Sequence, residues 1–317
     1  MPDLVLVANM TRTAFVFPGQ GSQYVGMAQD LAAAYPVARE IFAQADAVLG
    51  FPLSTLCFTG PDDALTDTIN AQPALLTHSV AALAVLKSLQ PSLSPHFCAG
   101  HSLGEYSALV AAGAIDFADA LKLVRERGRV MKLAGEKNPG AMASVLGMDE
   151  TPLEAVCQEA GAQIANYNNP GNIVISGTNE AIERASVLAK ERGARRVIKL
   201  AVSIASHSRL MESAAREFAT TVERTPIRAP KIPVVSNVTA QPMTELSQIK
   251  IELVLQLTSS VQWIKSVELM ASQGVTHFTE LGPKDVVAGM IRRINKDAHA
   301  VSIGDVASAK AFGETAK

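Results

Sequence analysis

The residues Gly100-His101-Ser102-Leu103-Gly104 decide how this chain is read. A short apolar run, Phe97-Cys98-Ala99, leads into them, and Glu105 to Ala112 follows with helical composition. Gly-x-Ser-x-Gly between a strand and a helix is the pattern of a nucleophile elbow. The turn is too sharp for side chains at its flanks, hence glycine at both. The serine oxygen is lifted clear of the backbone, over the start of the following helix. Unpaired N–H groups and the helix dipole there favour developing negative charge. By itself the pentapeptide also fits an ordinary strand-to-helix turn with an idle serine, so its partners must be sought elsewhere in the chain.

The surroundings narrow the class. At 317 residues the chain suits one large domain with an insertion, or two domains. Hydrophobic residues make up 48% and charged residues 18%, an ordinary globular balance. A net charge of −2 gives no basic field for nucleic acid. Cys57, Cys98 and Cys157 lack metal-ligand spacing and read as buried thiols in a reducing compartment. No apolar run reaches the roughly 18 residues of a membrane span. Residues 1–10 carry Asp3 and lack a basic start, so they read as an N-terminal extension, not a signal peptide, with Met10 an alternative start. A cytoplasmic protein with no membrane partner is expected.

Thr13 to Phe17 reads as a buried strand ended by Pro18-Gly19, and Gln20-Gly21-Ser22-Gln23 as a tight loop. The glycines at 19, 21 and 26 match neither nucleotide-binding pattern. Pro73 is read near the first turn of a helix from Ala74 to about Ser88. Asp116 is read as the N-cap of a helix from Phe117 to about Leu133, with Phe117, Leu121, Val124, Gly128 and Met131 on its apolar stripe. Such alternation predicts a mostly parallel sheet with helices on both faces. From Asn138-Pro139-Gly140 the pattern changes. Strands at Ala141–Leu146, Gln163–Tyr167, Ile173–Ser176 and Val197–Val202 alternate with helices at Thr151–Ala160 and Glu180–Arg192. This β-α-β-β-α-β order is ferredoxin-like. Further on, helix (Leu210–Thr221, Ile249–Leu257, Ile264–Ser272) and strand (Ile232–Ser236, Val275–Glu280) return, then helix Asp285–Ile294.

A serine nucleophile needs a base. Of six histidines, His101 adjoins Ser102 on a tight turn, where neighbouring side chains diverge. His78 falls in a helix, His96 before the elbow strand, His277 in an apolar strand that suggests a core role, and His299 near the tail. His207 lies in a loop at the junction with the inserted segment and is the best base by position.

Ten stretches then carry a resemblance, in order from about Thr13 to Ile294. They include Phe15-Val16-Phe17-Pro18-Gly19-Gln20-Gly21-Ser22-Gln23, Gln72-Pro73-Ala74, the elbow with Glu105-Tyr106, Glu126-Arg127-Gly128, Asn166-Tyr167-Asn168, Ser206-His207, Ser236-Asn237-Val238, Val261-Gln262-Trp263 and Glu280-Leu281-Gly282-Pro283. The chain resembles the malonyl-CoA:acyl carrier protein transacylases of fatty acid and polyketide synthesis. The resemblance implies Ser102 as acylated nucleophile and His207 as base. It implies a backbone carbonyl at Gln262 that orients the imidazole, and an oxyanion hole from the N–H groups of Gln20 and Leu103. It makes Arg127 the holder of the malonyl carboxylate and puts Gln262, Asn168 and His101 on the substrate side. A guanidinium can hold a carboxylate through two parallel hydrogen bonds. Helical geometry alone does not choose between Arg125 and Arg127, which flank the apolar stripe; the resemblance chooses Arg127, leaving Arg125 and Arg129 as solvated charges. Lys284-Asp285 departs from the Gly-Lys usual in the family after Gly-Pro.

The expected fold is therefore α/β. A large α/β-hydrolase-like domain with a mostly parallel sheet covers residues 11–137 and 206–305. A small ferredoxin-like domain is inserted at 138–205, and 306–317 is a weakly ordered tail. The expected reaction is ping-pong transfer of malonyl from malonyl-CoA to holo acyl carrier protein, by a monomer, with no metal and no bound cofactor. The acidic carrier would meet either Lys190, Arg192, Arg195 and Arg196 or Arg292, Arg293 and Lys296. A serine esterase or thioesterase, a polyketide acyltransferase of broader acyl selectivity, and a binding module without catalysis are the alternatives.

Overall fold

The computed structural model describes residues 12–315, Ser203 excepted. Ten strands run in chain order: β1 Arg12–Phe17, β2 Phe97–Gly100, β3 Gly140–Leu146, β4 Gln163–Asn169, β5 Asn172–Thr178, β6 Arg196–Lys199, β7 Val234–Val235, β8 Pro242–Met243, β9 Val275–Leu281 and β10 His299–Ile303. They form two sheets. The larger has the order β10-β9-β1-β2-β7-β8, with every pairing parallel except the β7–β8 hairpin. Its central strands are apolar on both faces because helices cover both. The fold is thus mixed α/β around a mostly parallel sheet. The smaller sheet has the order β4-β5-β3-β6 and is antiparallel throughout. Helices Glu150–Ala160 and Asn179–Glu191 connect its strands and share with them a separate core that includes Val145, Leu153, Val156, Ile175 and Ile182. Backbone hydrogen bonds from Tyr167 N to Val261 O (2.9 Å) and from Val261 N to Ala165 O (2.8 Å) tie it to the larger body.

Two buried helices support the site. Thr68–Leu89 starts five residues earlier than Pro73 suggests, so Pro73 lies inside it. The side chain of Asp67 caps it by accepting from Ile69 N at 3.2 Å. Proline cannot donate to the carbonyl four residues back, that of Ile69. Arg125 Nη1 takes that place, donating to Ile69 O at 3.3 Å and to Asn70 Oδ1 at 2.8 Å. Its guanidinium also lies 4.4 Å over the Phe51 ring, so Arg125 is no solvated charge. Arg129, by contrast, pairs at the surface with Glu126 and Glu217. Thr68–Leu89 is the one helix among the described residues long and apolar enough to cross a membrane; it is packed in the core, with 83% of its apolar window buried.

Helix Phe117–Lys137 crosses it at Gly128, where a Cβ would lie 2.8 Å from Ile69 Cα and from Thr68 O. Asp116 occupies the N-cap position without capping by its side chain, which pairs with Arg228. Residues 306–315 correct the expectation of a loose tail. They form helix Val306–Thr315, whose first N–H donates to Asp30 Oδ2 at 2.8 Å. His277 is exposed, not in the core, and its ring lies 4.9 Å from that of His299 on the neighbouring strand. The N-terminal extension falls outside the described residues.

Candidate active site

The elbow is built by backbone contact. A Cβ on Gly100 would come within 2.0 Å of the Gly104 carbonyl, and one on Gly104 within 2.2 Å of Phe17 O. Strand β2, the turn and helix Gly104–Ala111 can pack this closely only through glycine. Ser102 is forced to φ 51, a left-handed conformation costly for any residue with a Cβ. Its N–H donates to Asn237 Oδ1 at 2.7 Å, and its carbonyl accepts from Gln256 Nε2 at 3.0 Å.

His207 arrives from the other side, after β6. It also has positive φ, 57, and its turn is held by Ser208 Oγ donating to Ala205 O at 2.7 Å. Its Nε2 lies 2.8 Å from Ser102 Oγ. Its Nδ1 lies 2.8 Å from Gln256 O and 3.2 Å from Ser259 O. Carbonyls only accept, so Nδ1 carries the hydrogen and Nε2 offers its lone pair to the serine. Burial, then the positive charge of Arg127, push the His207 pKa down to about 3. The imidazole is neutral at neutral pH and can accept the serine proton.

The orienting carbonyl belongs to Gln256 and not to Gln262. Gln256 ends helix Leu246–Leu255, where the last carbonyls have no partner within the helix. The Gln262 carbonyl is already used: as N-cap of helix Trp263–Ser272 it accepts from Ser266 N at 2.9 Å and Ser266 Oγ at 3.0 Å.

Arg127 is 1% exposed. Its Nη1 donates to Gln72 Oε1 at 2.9 Å, and its Nη2 to Gln256 Oε1 at 2.8 Å and Ser102 Oγ at 3.3 Å. Tyr106 lies beneath it, the ring centre 5.5 Å from the guanidinium carbon. None of these partners is a carboxylate, and Nε has no partner among the described residues. A permanent charge is therefore held beside the nucleophile by neutral groups, a costly arrangement without an anion to receive.

Gln20 and Leu103 flank the elbow. Gln20 lies three residues beyond β1, after Pro18-Gly19, and Leu103 precedes helix Gly104–Ala111; among the described residues neither donates its backbone N–H to another backbone group. The Gln20 side chain accepts from Thr68 Oγ1 at 3.1 Å, Thr68 accepts from Gln72 Nε2 at 3.0 Å, and Gln72 receives Arg127. This chain links the Gln20 loop to the guanidinium. His101 and Asn168 meet each other, Nε2 to Oδ1 at 2.8 Å, joining the elbow to β4. Burial lowers the His101 pKa, and its ring packs edgewise on Trp263 at 5.8 Å.

Sequence reasoning brought Ser102, His207 and Arg127 to one place and missed Gln72, Gln256, Asn237 and the buried acid Glu105. The available signal was a polar residue inside an otherwise apolar helix, as with Gln72 and Glu105.

The acyl transferase domain family matches residues 14–308. The chain is 46% identical over 309 residues to the malonyl CoA-acyl carrier protein transacylase of Haemophilus influenzae, an alignment covering 96% of this chain and 99% of that one. With the protein of the same name from Escherichia coli K12 it shares 48% over 289 residues, 90% of this chain and 93% of the other. Among solved structures, an acyl carrier protein S-malonyltransferase from Vibrio cholerae superposes with a TM-score of 0.93 at 45% identity, covering 95% of this chain and 100% of that one. A structure of a type II PKS acyl-carrier protein in complex with its malonyl-transacylase gives a TM-score of 0.92 at 41% identity, over 96% of this chain and 100% of the matched one.

Proposed function

The chain belongs to the acyl transferase domain family, and from that premise we propose that it moves malonyl from malonyl-CoA to the phosphopantetheine thiol of holo acyl carrier protein, through a malonyl ester on Ser102. One observation carries this reading: Ser102 Oγ lies 2.8 Å from a neutral imidazole and 3.3 Å from a buried guanidinium that has no carboxylate of its own. The dyad supplies acyl transfer, and the cation supplies a reason for the acyl group to end in a carboxylate.

In the first half-reaction Arg127 receives the malonyl carboxylate. His207 Nε2 takes the Ser102 proton as Oγ attacks the thioester carbonyl. The oxyanion is met by the N–H groups of Gln20 and Leu103, each worth a few kcal/mol in such a role. The intermediate collapses with breakage of the carbon–sulfur bond, and CoA leaves as the thiol with the proton from His207. In the second, the carrier's thiol gives its proton to His207 and attacks the ester. Ser102 leaves with that proton, and the malonyl thioester departs on the carrier. The Gln256 carbonyl stabilises the imidazolium in both halves. The same reading takes residues 138–205 as a ferredoxin-like insertion, supported by the order β4-β5-β3-β6. The α/β-hydrolase-like body, 11–137 and 206–305, is supported by the strand, elbow and helix around Ser102.

Intact mass spectrometry tests it. Malonyl-CoA should leave one malonyl group on the protein, absent from Ser102→Ala and removed by holo acyl carrier protein. Steady hydrolysis with no transfer to the carrier would make the protein a thioesterase. Absence of any adduct would make it a binding module.

A further inference from the structure

Beneath the elbow lies a carboxyl group that the reaction described above does not use. Glu105 is wholly buried in helix Gly104–Ala111. Its Oε1 accepts from Asn237 N at 2.8 Å and Asn237 Nδ2 at 3.1 Å, and its Oε2 accepts from Gln256 Nε2. Every neighbour in these bonds is a donor, and no cation is among them. Burial, with Glu252 nearby, raises its pKa. In either protonation state both oxygens keep lone pairs for these donors.

The two amides that Glu105 receives face critical groups with their other ends. Asn237 Oδ1 accepts the Ser102 N–H, while Asn237 Nδ2 also donates to Gly100 O at 2.7 Å. Gln256 Oε1 accepts from Arg127 Nη2, while Gln256 Nε2 also donates to Ser102 O. Backbone N–H and guanidinium can only donate, and backbone carbonyls can only accept. These partners define which way each amide faces, and Glu105 is the acceptor common to both.

We propose that Glu105 is a positioning residue: by accepting from both amides, it holds Asn237 against the Ser102 N–H and Gln256 against Arg127, so that one buried acid aligns nucleophile and carboxylate anchor together. The inference rests on the transferase reading. Glutamine at this position would present an N–H₂ to one of two donors. If Gln256 turns over to meet it, Arg127 loses its acceptor and faces a second donor. The Asn237 branch serves any acyl group, whereas the Gln256 branch serves only an acyl group that Arg127 holds.

The test compares malonyl-CoA and acetyl-CoA in single-turnover acylation of Ser102. Glu105→Gln should lower the malonyl-to-acetyl preference at least about tenfold, the worth of one hydrogen bond to a charged group. Gln256→Met, which leaves Glu105 in place, should lower the same ratio, and it decides the matter if Glu105→Gln does not fold. An unchanged ratio in Gln256→Met, or equal losses for both thioesters in folded Glu105→Gln, would overturn the proposal. The unmodified protein is the control: failure of its own malonylation would defeat the transferase reading, whereas its success beside unaffected variants would defeat only the role of Glu105.

Discussion

Arg127 and His207 are coupled by charge as well as by distance. The guanidinium that would hold the substrate carboxylate is the second cause, after burial, of the low pKa of His207. Replacing Arg127 by alanine should lower malonyl kcat/KM by roughly a hundredfold or more, with a much smaller loss for acetyl, because only malonyl leaves its charge unmatched. Equal losses would show that Arg127 supports the fold and not selectivity. The pH profile gives a second check. Since kcat/KM reports the free enzyme's base, it should stay flat from about pH 8 to about pH 5, where an ordinary histidine would already have been protonated. Arg127→Met should move the acid limb upward, because it removes a cause that lowers the pKa. An acid limb near 6.5 in the native protein would mean that the imidazole is solvated. These side chains could be read from the sequence because their chemistry requires particular residue types. Gln256 could not be placed by the same reasoning as Gln262 because it acts on His207 through a carbonyl that every residue possesses. Only the helix end at Leu255, a tertiary fact, gives its position away.

At the level of elements, the strands leading into Pro18-Gly19, the elbow and Gly282 and the four strands of the smaller sheet were legible, because apolar runs and β-α-β-β-α-β spacing are local signals, whereas the two-residue strand Pro242–Met243 left no such signal. The start of Thr68–Leu89 was not, since Pro73 is usually a helix opener and here its missing hydrogen bond is made good by Arg125 from another helix. Helix Val306–Thr315 was missed for a similar reason: its start is satisfied by Asp30, far away in the chain. Glycine spacing on Phe117–Lys137 looked like mere stripe periodicity, yet Gly128 is where two helix backbones nearly touch. Gly128→Ala should therefore cost about 1–3 kcal/mol of stability, as overpacking does. It should also weaken malonyl use, because the helix it displaces carries Arg127. Thermal unfolding and acylation rates measured on the same preparation would check both. A variant as stable and as active as the parent would show that the helices can part freely.

Across the whole molecule, pH should act on stability through groups of opposite sign. His207 and His78, with pKa values near 3 and 4 when folded, are lowered from 6.5 by burial. The unfolded chain binds their protons first, so stability is complete above about pH 6.5 and drains as pH falls towards 4. Glu280, raised to about 7 by burial although the N–H groups of Val286, Val287 and Ala288 donate to it and act to lower its pKa, runs the other way and loses stability as pH rises from 4.5 through 7. Burial lowers His101 in the same sense and raises Glu105 and Glu252 in the sense of Glu280, so the net slope is a balance of the two sets, within which His207 and His78 contribute a fall in melting temperature on acidification from pH 6.5 to 4.5. His78→Gln, which removes one of the two, should flatten that slope, and an unchanged slope would show that the carboxylates dominate it. Ser102 and Arg127 precede the four-stranded unit, and His207 and Gln256 follow it. A chain cut at the Pro170-Gly171 turn would leave hydroxyl and imidazole on separate polypeptides, neither of them competent alone. Acylation by the nicked protein would then be a direct sign that its two fragments remain clasped.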